Sequence, residues 1–237
     1  MVRAAGVAGV LDEEALAASR AACLARRPPG AAVWVFGYGS LIWNPCIRFV
    51  ERRVVRVFGW HRRFCLWTTL GRGTPDRPGL VLGLERGGSC LGVAFRIAEE
   101  EIESELDIVW RREMVTAAYR PIWVRARSAE GTIAAIAFAI NREHPRYAGR
   151  LPEARIVDAL ATAAGPLGRC CDYLFETLSH LEALGIRDPH LRALSEAVRR
   201  RQAEVVAASG RGADLAEAHA TPSGLTPGRT DVPLTHS

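Results

Sequence analysis

The chain has 237 residues, a net charge of +5 and 49% hydrophobic residues, enough to fill the core of one domain with extensions or of two small ones. All 31 basic residues are arginines, so there is no lysine for a P-loop or for a pyridoxal phosphate Schiff base, and both classes are excluded. The longest apolar stretches, such as residues 132–140, fall short of the ~20 needed to span a bilayer, and no signal-type segment opens the chain. A cytoplasmic protein with no membrane partner is expected.

In chain order, residues 11–26 have helix-forming composition with acids in the first turn, and Arg27-Pro28-Pro29-Gly30 stops them. Residues 1–30 are therefore predicted as a helical N-terminal extension; Asp12, Glu13 and Glu14 argue against a transit peptide. From Val33 short β-rich runs take over: 33–36, 54–58, 63–68, 80–84, 91–97, 122–126 and 132–140, with Gly87-Gly88-Ser89 read as a hairpin turn. Helices are predicted at 152–164, 170–184 and 190–206. Strands mostly ahead of helices give an α+β domain over residues 31–207. Residues 208–237, rich in Gly, Pro, Ser and Thr without an apolar period, read as a disordered tail.

The six cysteines include no C-x-x-C pair and the six histidines no metal-ligand spacing, so no metal is expected and the cysteines read as reduced and packed.

The stretch 99–113, EEEIESELDIVWRRE, is the most informative. Wound at ~100° per residue, it gathers Ile102, Leu106, Val109 and Trp110 into one apolar stripe, with Glu100, Glu101, Glu103, Glu105 and Asp107 outside it as solvated charges. Glu113, about three turns beyond Ile102, falls inside the stripe, while Arg111 points nearly opposite. A carboxylate so placed is desolvated and either finds a partner or raises its pKa towards neutrality, which suits a general base. Two alternatives stand beside this: a helix that ends before Arg111, and Glu113 as the structural ion-pair partner of an arginine. Glu99 also drifts near the apolar side, but acids are ordinary at a helix start.

Two loops carry further candidates. In VWVFGYGSLIW (33–43), Gly37 and Gly39 let consecutive N–H groups converge on an anion or a carbonyl oxygen; the same composition also makes a plain tight turn. A dinucleotide fingerprint would need glycine at Ile42, so that reading fails. In GRGTPDRPG (71–79), Arg72 and Arg77 could fork an anionic end of a substrate, or belong to a solvated turn. Tyr147 is either a hydroxyl within reach of a ligand or a core-rim tyrosine.

Taken together, FGYGSLIW (36–43), GWHRRFCLW (59–67), GRGTPDRPG (71–79), WRREM (110–114) and AAGPLGRCCDYLF (163–175) resemble the ChaC branch of the γ-glutamyl cyclotransferases, in that order, over about residues 33–200. The resemblance implies a small mixed β-barrel with flanking helices and a cyclotransferase that converts glutathione to 5-oxoproline and cysteinylglycine. It implies Glu113 as the catalytic residue and substrate contacts along Val35, Phe36, Gly37, Tyr38, Gly39, Ser40 and Leu41. No cofactor, metal or nucleic acid is expected.

The implied chemistry is consistent with the residues. The substrate α-amine, an ammonium of pKa ~8, must lose a proton before attacking its own γ-carbonyl. Glu113 would take that proton, the glycine loop would hold the oxyanion, and ring closure is intramolecular. The rival readings are a cyclotransferase for other γ-glutamyl amino acids or amines and, from another class, a weak basic nucleic-acid-binding module suggested by arginines interleaved with aromatics in 48–67.

Overall fold

The computed structural model of the chain describes residues 10–218, with side chains through 208. The described residues up to Arg201 form one compact unit; those from Gln202 continue the last helix as a second.

The first helix, α1 (Glu13–Leu24), starts where Asp12 caps it, the carboxylate accepting from the Ala15 N–H at 2.8 Å. It buries Leu16 and Cys23, and its Arg20 and Ser19 reach Asp107, Glu103 and Trp110 of the second helix. The described part of the expected N-terminal extension, residues 10–30, thus belongs to the same unit as the β-strands that follow, and residues 1–9 lie outside the described residues.

Five strands close into a barrel of order β1-β3-β2-β4-β5: β1 (Trp34–Gly37), β2 (Glu51–Thr68), β3 (Gly79–Arg96), β4 (Tyr119–Ser128) and β5 (Gly131–Ile140). The sheet is mixed, since β5 runs antiparallel to β4 but parallel to β1 and β3. In β5, Ala135 to Ile140 are all buried, as expected of a strand covered on both faces. The α+β barrel with flanking helices read from the sequence is the fold observed.

Two details differ from the sequence reading. The runs 54–58 and 63–68 are one strand, as are 80–84 and 91–96, with Ile97 just past its end. Gly87-Gly88-Ser89 therefore lies inside β3 and does not reverse the chain. The positive φ of Gly87 and Gly88 faces a register shift between Phe58 and Trp60, where Gly59 is also at positive φ, so these glycines form a bulge that bends a long strand pair. The reversal between β2 and β3 is made instead by residues 69–78, the arginine-bearing loop.

That loop is held by backbone contact. A Cβ at Gly73 would lie 2.2 Å from the Gly79 nitrogen and 2.5 Å from the Thr68 carbonyl oxygen, and one at Gly165 would lie 2.4 Å from the Gly71 oxygen. Gly165 belongs to a two-stranded ribbon, β6 (Ala164–Gly165) and β7 (Gly168–Arg169), so the AGPLG motif and the GRGTPDRPG motif pack main chain to main chain. Gly73→Ala is expected to cost about 1–3 kcal/mol, several degrees in Tm, because backbone and not a flexible tip must move. Thermal unfolding by circular dichroism checks it.

The remaining helices are α2 (Ile102–Glu113), preceded by a 3-10 turn Glu99–Glu101, then α3 (Glu153–Thr162), α4 (Cys170–Ala183) and α5 (Pro189–Ala218). Helix α5 runs past the expected end at Val206, to Ala218; residues 219–237 of the expected tail lie outside the described residues.

Candidate active site

Helix α2 positions the central carboxylate. Ile102, Leu106, Val109 and Trp110 are all buried, with Trp110 fully enclosed and edge-on to Phe138 of β5 at 5.2 Å. The helix continues through Glu113, so an end before Arg111 does not occur. Arg111 is exposed and pairs with Asp107 and Glu13. One expected solvated acid is not solvated: Glu105 is only 3% exposed, because the chain at Arg48 crosses over it and donates from both its backbone N–H and its Nε, each at 2.9 Å. Glu99 is at the surface, bidentate with Arg27.

The Glu113 side chain is 13% exposed and lies 3.1 Å from the Arg112 Nε. Burial pushes its carboxyl above the ordinary carboxylate value, and the Arg112 charge opposes part of that rise. The ion-pair alternative is thus partly realised, yet burial outweighs the pairing. Arg112 also donates to the Ser40 Oγ at 2.8 Å and to the Asn44 carbonyl, so it joins the helix end to the glycine loop.

The glycine loop leaves β1 and turns into a 3-10 segment Ser40–Ile42. The first N–H groups of such a turn have no acceptor within it. Gly39 is required by close approach: a Cβ there would lie 2.6 Å from the Tyr173 hydroxyl. Glu113 and the loop share a small cavity whose wall is Tyr38, Gly39, Ser40, Leu41, Leu82, Glu113, Tyr119, Phe138 and Tyr173.

Three phenols surround the carboxylate. Tyr38 donates to the Phe138 carbonyl and Tyr119 to the Leu82 carbonyl, each at 2.8 Å. Burial raises all three hydroxyl pKa values, and a negative Glu113 raises them further, so they stay neutral. Backbone N–H groups of Leu82 and Ser40 temper the rise at Tyr173.

Of the residues read from sequence, the structure brings Glu113, Tyr38, Gly39, Ser40 and Leu41 together. Val35, Phe36 and Gly37 do not line the cavity; they are strand residues paired with β3, and the Val35 and Phe36 side chains are fully buried in the core. Arg72 does not line the cavity but contacts one of its walls, its guanidinium 5.9 Å over the Tyr173 ring and donating to the Arg169 carbonyl at 3.0 Å. Arg77 is exposed at the loop tip. Tyr147 points elsewhere, donating to the buried Glu85, which also pairs with Arg63 and Arg142.

Residues not singled out as site residues by the sequence are Arg112, Tyr119, Tyr173, Leu82 and Phe138. Arg112 and Tyr173 lie inside the WRREM and AAGPLGRCCDYLF blocks, which was the available signal; Tyr119, Leu82 and Phe138 come from three different strands and had none.

The profile of the ChaC-like protein family matches residues 33–201. The glutathione-specific γ-glutamylcyclotransferase of Escherichia coli is 44% identical over 203 residues, covering 83% of this chain and 88% of that protein. The mouse glutathione-specific γ-glutamylcyclotransferase 1 is 31% identical over 174 residues, covering 70% and 78%. A crystal structure of a γ-glutamyl cyclotransferase specific to glutathione from yeast superposes with a TM-score of 0.66 at 21% identity, covering 72% of this chain and 97% of that one, a likeness of fold. By the family profile and by this degree of identity to its relatives, the chain belongs to the ChaC-like family of γ-glutamylcyclotransferases.

Proposed function

We propose that the chain cleaves glutathione to 5-oxoproline and L-cysteinylglycine, with Glu113 as general acid and base. The observation that carries this reading is a carboxylate of raised pKa on the wall of the cavity that the Gly39–Leu41 loop also lines. In the proposed reaction Glu113 takes a proton from the α-ammonium of the γ-glutamyl group. The freed amine attacks the γ-carbonyl carbon, forming a C–N bond in a five-membered ring, and the developing oxyanion is held by N–H groups of the loop. The bond to the cysteinyl nitrogen then breaks as Glu113 returns the proton to it. The ring nitrogen, still carrying two hydrogens, gives its second proton to the freed Glu113 carboxylate, which passes it to the departing amine, so that cysteinylglycine leaves as an ammonium and the ring as the neutral lactam. The neutral phenols of Tyr38, Tyr119 and Tyr173 keep water out and give the carboxylate no competing acid. The chain residues suffice for every proton transfer.

Glutathione as substrate is supported by the specificity named for the relatives from Escherichia coli and mouse. A substrate panel tests it: kcat/KM for glutathione should exceed that for γ-glutamyl amino acids lacking the glycine and for γ-glutamyl amines, and the reverse order would favour the broader cyclotransferase reading. A reducing, cytoplasmic setting suits six free cysteines, five of them buried. We take residues 31–207 as the catalytic domain.

Arg72 is the better placed of the two loop arginines for an anionic end of the substrate. Arg72→Ala should mainly raise KM, whereas Arg77→Ala should leave both constants near wild type. Equal KM values for the two variants would remove Arg72 from substrate binding.

A further inference from the structure

Arg62, on β2, belongs to none of the machinery above and does not line the cavity. Its side chain is nevertheless only 6% exposed, an expensive place for a guanidinium, and every nitrogen is committed. Nη1 donates to the Tyr38 carbonyl at 2.9 Å, Nη2 donates to the Leu91 carbonyl, and Nε faces the Asp188 carboxylate at 3.3 Å. Asp188 is fixed in turn by the start of α5, where its other oxygen accepts from the Leu191 N–H at 3.1 Å.

The bond to Tyr38 falls on the peptide that matters. In a trans peptide the Tyr38 C=O and the Gly39 N–H point in opposite directions. With the carbonyl drawn to Arg62, outside the cavity, the Gly39 N–H is turned the other way. That orientation is not secured by residue 39 itself. Glycine rotates about φ at little cost, so the 38–39 peptide can flip. Nor can a stiffer residue replace it, since a Cβ would meet the Tyr173 hydroxyl at 2.6 Å. The restraint has to come from outside the loop.

We propose that Arg62, braced by Asp188, is a positioning residue that locks the Tyr38–Gly39 peptide so that the Gly39 N–H is aimed at the substrate oxyanion. The proposal rests on the proposed cyclisation, in which Glu113 moves the proton and the loop N–H groups stabilise that oxyanion.

The test measures steady-state kinetics with glutathione for Arg62→Met, Arg62→Lys and Asp188→Asn beside Glu113→Gln, and follows the Gly39 amide by NMR. Loss of one oxyanion donor costs about 10²–10³ in kcat, and partial misorientation should cost Arg62→Met about 10–100-fold. KM should stay within about 3-fold, the mark of an interaction made in the transition state. Lysine, which can still reach one carbonyl, should restore part of the rate. Asparagine at 188 keeps the helix cap, so any loss there reports on the brace and not on α5. The Gly39 amide should show a second conformer in Arg62→Met and a smaller one in Asp188→Asn. Wild-type kcat and a single Gly39 conformer in Arg62→Met, with Glu113→Gln inactive, would overturn the positioning role alone. Should Arg62→Met not fold, the same result in both folded variants overturns it. An active Glu113→Gln would instead remove the reading on which the proposal rests.

Discussion

Glu113→Gln is expected to lower kcat with glutathione by at least ~10²-fold, the lower end for general acid and base catalysis, while the protein stays folded. Glutamine keeps the shape of the side chain but can neither take the ammonium proton nor return it. The stability effect has a definite sign. Burial raises the Glu113 pKa in the folded state, so the stability tied to this group is fully present below the ordinary carboxylate range and is lost as pH rises through the folded value. Above that value the wild type carries a desolvated charge that the amide lacks. The Tm of Glu113→Gln should therefore equal or exceed that of wild type near neutrality, with a gap that widens on going up from acid pH and then levels. The acid limb of kcat/KM in the wild type should follow the same group and lie above the ordinary carboxylate range. Glu99→Gln is the control: Glu99 sits at the surface on Arg27, and its loss should leave kcat unchanged. A near wild-type kcat for Glu113→Gln would return Glu113 to a structural role as the partner of Arg112.

The second large effect is on the scaffold. Trp110→Ala should cost about 3–5 kcal/mol, as for other fully buried tryptophans. Its ring is packed edge-on against Phe138 and its indole N–H bonds to the Ser19 hydroxyl at 3.2 Å, so the variant loses contact with both the barrel and α1. Glu113 lies one turn further along the same helix and Phe138 lines the cavity, so the folded fraction that remains should also show a reduced kcat. Trp110→Phe retains most of the packing and should cost markedly less. Chemical denaturation of the three proteins, read as midpoints, decides this; equal midpoints would mean that α2 is held by something other than its apolar stripe.

Much of this was legible in the sequence because periodicity reports burial. The stripe of Ile102, Leu106, Val109 and Trp110 is buried as the helical spacing requires, and the carboxylate that shares it is enclosed too. The same reasoning failed for Glu105, for a tertiary reason: a helical wheel shows one helix, and the segment that covers Glu105 at Arg48 is 57 residues away. The glycines at 87 and 88 misled in another way. Positive φ serves a bulge as well as a turn, and only the opposing Gly59 and the register shift tell the two apart. Tyr147 was ambiguous because a hydroxyl accepts whatever partner the fold delivers, here Glu85. The remaining wall of the cavity, Leu82, Tyr119 and Phe138, exists only because the barrel closes and brings β3, β4 and β5 to one point. No local pattern encodes that convergence.

The central claim is that the γ-glutamyl amine, and not water, attacks the γ-carbonyl. Incubating the purified protein with glutathione in ¹⁸O-enriched water and identifying both products by mass spectrometry tests it directly. Cyclisation gives 5-oxoproline and cysteinylglycine in equal amounts, with no heavy oxygen in either product. Glutamate carrying ¹⁸O in its γ-carboxylate, formed in step with cysteinylglycine, would show that the protein is a hydrolase and would contradict the account.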